Sequence, residues 1–199
     1  MIKKANAHHP VHEIIQHRWS PYRFTDRPIS NEDLQALFEA ARWAPSSYNE
    51  QPWYYLVAQK NQTEEFSKII SCLEESNQVW AQHASVIMLA FARTTFERNG
   101  KMNKAAIHDL GAAASYLSFE ATSRGIAVHQ IIGLHADKVN QKYNVPEDCQ
   151  VLTALALGYA DLSPEVDGVH AERDNSVRSR KTINEFVFHE DWGQALADL

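Results

Sequence analysis

Ala44-Pro45-Ser46-Ser47-Tyr48-Asn49-Glu50-Gln51-Pro52-Trp53 is the stretch on which the reading of this chain turns. Pro45 disfavours helical geometry at Ala44, so a helix arriving from the N-terminal side must end there. That helix is legible: Ser30 is a cap with an acid three residues on at Asp33, and Leu34, Leu37, Phe38 and Ala41 recur at helical spacing. On the other side, Trp53 to Ala58 is aromatic and aliphatic and reads as a strand. Between them, two prolines stiffen a loop that carries Ser46, Ser47, Asn49 and Gln51. Hydroxyls and amides on a stiff backbone suit polar recognition of a flat heteroaromatic ring. They also suit an ordinary polar connection, and on the residues alone the two readings stand level.

Working outward, Val11 to Gln16 reads as a short first helix. Thr63 caps a helix bearing Phe66, Ile69, Ile70 and Leu73. Ser85 to Ala92 is apolar at successive positions, which is the pattern of a strand buried on both faces. Ala105 to Arg124 is a long alanine-rich helix stopped by Gly125. A strand or turn over Val128 to Gly133, a helix over Lys138 to Tyr143 closed by Pro146, and a strand over Val151 to Tyr159 follow. Phe186-Val187-Phe188 reads as a last strand beyond the polar stretch Asp161 to Lys181. The order implies an α+β sandwich, a central, mainly antiparallel sheet packed by helices. No repeat or Gly/Ser-rich linker divides the 199 residues, so one domain is expected, with residues 1–10 mobile and about 161–199 an extended arm.

The net charge of −6 argues against a general nucleic-acid binder, and the longest apolar run is too short to span a bilayer. The N-terminus lacks the apolar core of an export signal, so a cytoplasmic location is expected. Cys72 and Cys149 form no CxxC and read as structural free thiols. His8, His9 and His12 cluster without zinc-site spacing, and no nucleophile elbow accompanies His108-Asp109.

Three further clusters carry possible chemistry. Arg18-Trp19-Ser20-Pro21-Tyr22-Arg23-Phe24 offers a guanidinium and a hydroxyl suited to phosphate, though a surface turn would look the same. Val128-His129-Gln130-Ile131-Ile132-Gly133 ends on a glycine that lets backbone approach a flat ligand, as many buried strands do. Arg178-Ser179-Arg180-Lys181 is a basic knot in an acidic chain, and such runs are usually solvated.

Taken together, the chain resembles the nitroreductase family of FMN oxidoreductases. The resemblance rests on Arg18, Ser20 and Phe24, the Ala41–Trp53 block, Asn77-Gln78-Val79-Trp80, and Asp109-Leu110-Gly111-Ala112-Ala113. It continues through Gly125, His129-Gln130, Gly133-Leu134, Val145-Pro146-Glu147, Leu157-Gly158-Tyr159 and Arg180-Lys181. It implies a homodimer with FMN at the interface and a C-terminal extension wrapping the partner subunit. Arg18, Ser20, Arg180 and Arg178 would hold the flavin phosphate, with Trp19 contributing main chain. Gln130, Ile131, Ile132 and Gly133 would face the isoalloxazine, while Pro45, Ser46, Ser47, Asn49 and Gln51 would reach the flavin of the other subunit. The resemblance implies NADH or NADPH as donor, a nitroaromatic, quinone or enal-type acceptor, and a ping-pong cycle with no catalytic side chain. Dehalogenation, ring oxidation, flavin breakdown or a flavin-binding role with little turnover are the alternatives.

Two departures stand out. Tyr22 occupies a position where the family usually has Lys or Arg near the flavin N1 and O2 edge. Either Arg23, another basic residue or the tyrosine hydroxyl serves there, or the flavin is harder to reduce. The Gln-Ile-Ile-Gly turn replaces the Pro-x-Glu-Gly form of the better-known nitroaromatic reductases, which makes substrate transfer by analogy unsafe.

Overall fold

The computed structural model of the chain describes residues 3–163 and 168–196. Four strands, β1 (Trp53–Gln59), β2 (Val86–Arg93), β3 (Ala127–Ile131) and β4 (Cys149–Gly158), form one antiparallel sheet in the order β1-β2-β4-β3. The α+β expectation holds, and the physical reason lies in β2. Its residues Val86 to Ala92 are at most 4% exposed, because alternate side chains enter different cores. Val86, Met88, Ala90 and Ala92 face one core with helices α2 (Asn31–Arg42) and α5 (Ala106–Ser123). Ile87, Leu89 and Phe91 face a second with α3 (Thr63–Ile70) and α4 (Glu75–Ala81). A period of two with helices on both faces yields the continuous apolar run.

Helix α5 runs the length of the first core. Ala106, Ala113, Ala114 and Ala121 are buried on it, and their small side chains let α2 lie close alongside. It ends at Gly125, whose φ of +72° supplies the left-handed turn a helix C-terminus favours. Ser30 accepts from the Asp33 N–H and caps α2 as expected.

Several boundaries differ from the sequence reading. The first helix, α1, is Glu13–His17; Thr63 is the first helical residue of α3 rather than its cap, and that helix stops at Ile70. Asn144 in left-handed geometry, not Pro146, ends α6 (Ala136–Tyr143). Helix α4 was not anticipated, nor was α7 (Val169–Asn175) inside the polar stretch. The expected strand at Phe186–Phe188 is absent as a ladder element. Thr182 and Glu185 make a reciprocal capping box that winds Ile183–Glu185 into a 3-10 turn, leaving only an isolated bridge between Phe188 and Ala195. The arm expectation for 161–199 extends over residues 164–167 and 197–199, which lie outside the described residues.

Candidate cofactor site

Arg18 follows α1 directly, its N–H donating to the Ile14 carbonyl, so the helix end fixes where the guanidinium starts. The side chain then lies 3.3 Å from Ser20 Oγ. Arg178 arrives from the far end of the chain, donating to the carbonyls of Lys3 (3.1 Å) and Gln16 (3.0 Å). Arg180 stands beside both. Arg18, Ser20, Arg178 and Arg180 line one cavity of about 820 Å³, with Ser118 of α5 and Val128 and Gln130 of β3 on its walls. The spacing of 160 residues between the first and last of these clusters is closed by α7. There the buried Asp174 accepts from the Tyr22 and Arg23 N–H groups, and Lys3 donates to the Arg173 carbonyl.

The electrostatics of this pole are unbalanced. Burial, then the charge of Arg180, disfavours the protonated form of Arg18. Burial, then Arg18 and Arg180, does the same to Arg178. Among the described residues none of the three arginines forms an ion pair with a carboxylate. Gathered like charges, partly desolvated, raise the energy of the protein until an anion joins them. The donor set therefore fits the phosphate end of FMN. Trp19, expected to contribute main chain, does not line this cavity: it is 9% exposed and its ring lies under the Lys3 ammonium, facing a separate pocket.

At the other end of the wall, Gln130 and Ile132 are exposed, Ile132 by 75%. Ile131, expected to face the ring, points instead into the second core at 3% exposure. Gly133 leaves room for two side-chain ends that a larger residue would push aside. A Cβ there would come within 2.5 Å of Asn77 Nδ2 and 2.7 Å of Glu74 Oε2, and the Gly133 carbonyl accepts from Glu74 N and Asn77 Nδ2. This turn is thus held by the start of α4, an element the sequence reading passed over.

Neither residue at the departure site is free to act as the missing cation. The Arg23 guanidinium is turned to Asp174 (3.5 Å) and donates to the Ser163 carbonyl. The Tyr22 ring is packed among Trp80, His129 and His170. His129 accepts burial at the cost of its charge: desolvation lowers its pKa, opposed by its contact with the Pro21 carbonyl and by Asp174.

The Pro45–Gln51 loop lies elsewhere. None of Pro45, Ser46, Ser47, Asn49 or Gln51 lines the cavity of its own chain. The loop sits at the N-terminal end of α5, where Ser47 N donates to Asp109 Oδ2 at 3.0 Å. Nine residues of helix separate Asp109 from Ser118, roughly 13 Å along the axis. Ser46 and Ser47 are half-buried, whereas Pro45, Asn49 and Gln51 are exposed. Tyr48, Asn49 and Gln51 all have left-handed φ, between 53° and 56°. The structure therefore gathers Arg18, Ser20, Gln130, Arg178 and Arg180 from the other three clusters into one wall, while Trp19, Ile131, Ile132, Gly133 and the whole loop fall outside that lining. Sequence reasoning missed Ser118 and residues 5–9, which also line the cavity. Ser118 sits mid-helix, and no motif signals it.

Among the described residues no group of three His, Cys, Asp or Glu side chains is placed to hold a metal, and no helix is long and apolar enough to cross a membrane.

Residues 15–159 match the Nitroreductase family, and the chain belongs to that family. It is similar to an uncharacterized 15.4 kDa protein in the ask 5′ region of Mycolicibacterium smegmatis, 30% identical over 134 residues, covering 67% of this chain and 88% of that one. A solved structure described as an oxidoreductase containing FMN is 29% identical, with a TM-score of 0.87, covering 94% of this chain and 96% of its own. A nitroreductase family protein from Clostridium difficile 630 shares the fold, with a TM-score of 0.69 at 20% identity, over 89% and 96% of the two chains.

Proposed function

We propose that this chain is an FMN-dependent oxidoreductase that takes reducing equivalents from NADH or NADPH and passes them to small acceptors of the nitroaromatic, quinone or enal type. The observation that carries the reading is the triad Arg18, Arg178 and Arg180, without a carboxylate partner among the described residues, on a cavity wall that continues to Gln130. FMN in the solved relative at 29% identity supports the same cofactor here. When bound, FMN supplies the hydride chemistry, in a ping-pong cycle where donor and acceptor use one face in turn. The chain's own residues bind and orient. Arg18, Ser20, Arg178 and Arg180 hold the phosphate, and the main chain from Gln130 to Gly133 meets the ring.

The reading includes a homodimer of single-domain chains in the cytoplasm, with Pro45, Ser46, Ser47, Asn49 and Gln51 serving the partner's flavin. Helix α5 supports this, since Ile107, Gly111, Ser115 and Tyr116 form an exposed stripe on a helix whose opposite face is buried in the first core. A Cβ on Gly111 would meet nothing within 4 Å in the single chain, which leaves space for a second helix. The engagement of Arg23 by Asp174 favours one variation: without a cation at the ring's N1 edge, the anionic reduced flavin is less stabilised and turnover is slow.

Anaerobic addition of NADH and NADPH, separately, to purified flavin-loaded protein tests the activity. Bleaching of the flavin absorbance with either donor is expected; none with both would overturn the reductase reading. Protein that cannot be loaded with FMN would overturn the cofactor as well.

A further inference from the structure

Asp109 is a carboxylate that the chain buries without an ion pair to a Lys or Arg. It is 4% exposed, and among the described residues its only charged-type neighbour is the outward-facing His108, 3.4 Å away. Burying a carboxylate is unfavourable unless donors reach it. Here the donor is the Ser47 N–H, and the first turn of α5 adds the favourable end of its dipole.

The loop that Asp109 grips behaves as a unit. Asn49 N donates to the Ser46 carbonyl, Gln51 N to Ser46 Oγ, and Gln51 Nε2 to the Asn49 carbonyl. These bonds hold three residues in left-handed geometry that L side chains adopt at a cost. Its other contacts, Glu50 with the Glu97 N–H and Tyr48 against Phe96, tie it to residues 96–97, not to α5. Asp109 is thus the described side-chain link between the loop and α5, whose Ser115, Ser118 and Phe119 line the cavity. One helix carries a cavity wall in its C-terminal half and grips the loop at its start. Two copies related by a two-fold axis, with α5 crossing its mate in antiparallel sense, would bring each loop to the other's cavity.

We infer that Asp109 is a positioning residue for the cofactor site of the opposite subunit, acting through the Ser47 N–H. This rests on the dimeric, FMN-binding reading above. The carboxylate touches no cofactor; it sets where the partner's flavin finds Ser46, Ser47, Asn49 and Gln51.

The test is complementation between subunits carrying different tags, co-expressed and purified through both tags. D109A homodimers should bind FMN on the order of tenfold more weakly, and R18A homodimers more weakly still. In the mixed R18A/D109A dimer, one site inherits both defects and the other neither. One FMN per dimer at wild-type affinity is the expected result. Two weakened sites would show that Asp109 acts within its own subunit and overturn the inference. R18A homodimers that retain normal FMN affinity would instead overturn the phosphate assignment, and failure to recover any mixed dimer would overturn the dimer. D109N keeps an acceptor oxygen and should restore affinity to within about threefold; binding as weak as in D109A would also overturn the inference. If D109A does not fold, the loop side serves. S47P removes the N–H at a position where proline is accommodated, and S47A keeps it. FMN binding tenfold weaker in S47P than in S47A is expected, and equal binding overturns the proposal.

Discussion

The arginine pole and the Pro45–Gln51 loop are held in shape by opposite means. At the pole, like charges are brought together across 160 residues of chain and partly desolvated, so the apo state carries electrostatic stress. In the loop the stress is conformational: three left-handed residues within four positions, closed by hydrogen bonds among Ser46, Asn49 and Gln51 and anchored from outside by Asp109. The first kind of stress disappears when an anion binds, and salt changes its size. The second is conformational, depends little on salt and persists in the loaded protein. A site assembled from the two combines a component that responds to its ligand with one that does not.

Removing a charge from the pole should have the largest effect. Arg18→Ala should weaken FMN binding by about two orders of magnitude, as loss of a charge-assisted contact does, while the protein stays dimeric. Fluorescence titration and gel filtration check both halves, and unchanged affinity would break the comparison at its first term. At the ring end, Gly133→Ala should cost about 2 kcal/mol of stability, because the added methyl meets Asn77 and Glu74. Chemical denaturation measures it.

The loop should respond to shape far more than to salt, since the Asp109 carboxylate that anchors it is buried. Gln51→Val places a β-branched residue at φ 53° and should cost about 1–2 kcal/mol, equally in low and high salt. A marked salt dependence would mean that the loop is also held by charge. Conversely, inorganic phosphate should raise the melting temperature of the flavin-free protein by a few degrees, and Arg180→Ala should blunt that rise.

Between the two lies His129. Its folded pKa is below the usual 6.5, so the unfolded chain binds the proton more readily. Its contribution is therefore complete above about pH 6.5 and is lost as the pH falls toward the folded value, with a slope of at most about 1.4 kcal/mol per pH unit. Melting of flavin-free protein across this window should show the slope, and His129→Phe should remove it.

Most of the sheet was legible because β2 is apolar at every position from Val86 to Ala92 and only burial on both faces explains that. Helices α2 and α5 announced themselves by a cap, a period and a terminal glycine. Helices α4 and α7 did not, since each is seven residues of mostly polar sequence fixed by tertiary contacts, Gly133 in one case and Asp174 in the other. Phe186-Val187-Phe188 misled because β propensity was read without the Thr182–Glu185 box just before it. The site clusters were visible as residue types. Which of them share a cavity was not, because that depends on Arg178 reaching Lys3 and Gln16 from the far end of the chain.

That last tie bears on the order in which the molecule is made. The final strand of the sheet is complete at Gly158, yet the basic pole needs Arg178 and Arg180. During synthesis the core can therefore close around β2 while the anion site is still two arginines short. Cofactor capture is consequently a late event, and a chain cut after residue 160 should keep its sheet while losing its means of holding a phosphate.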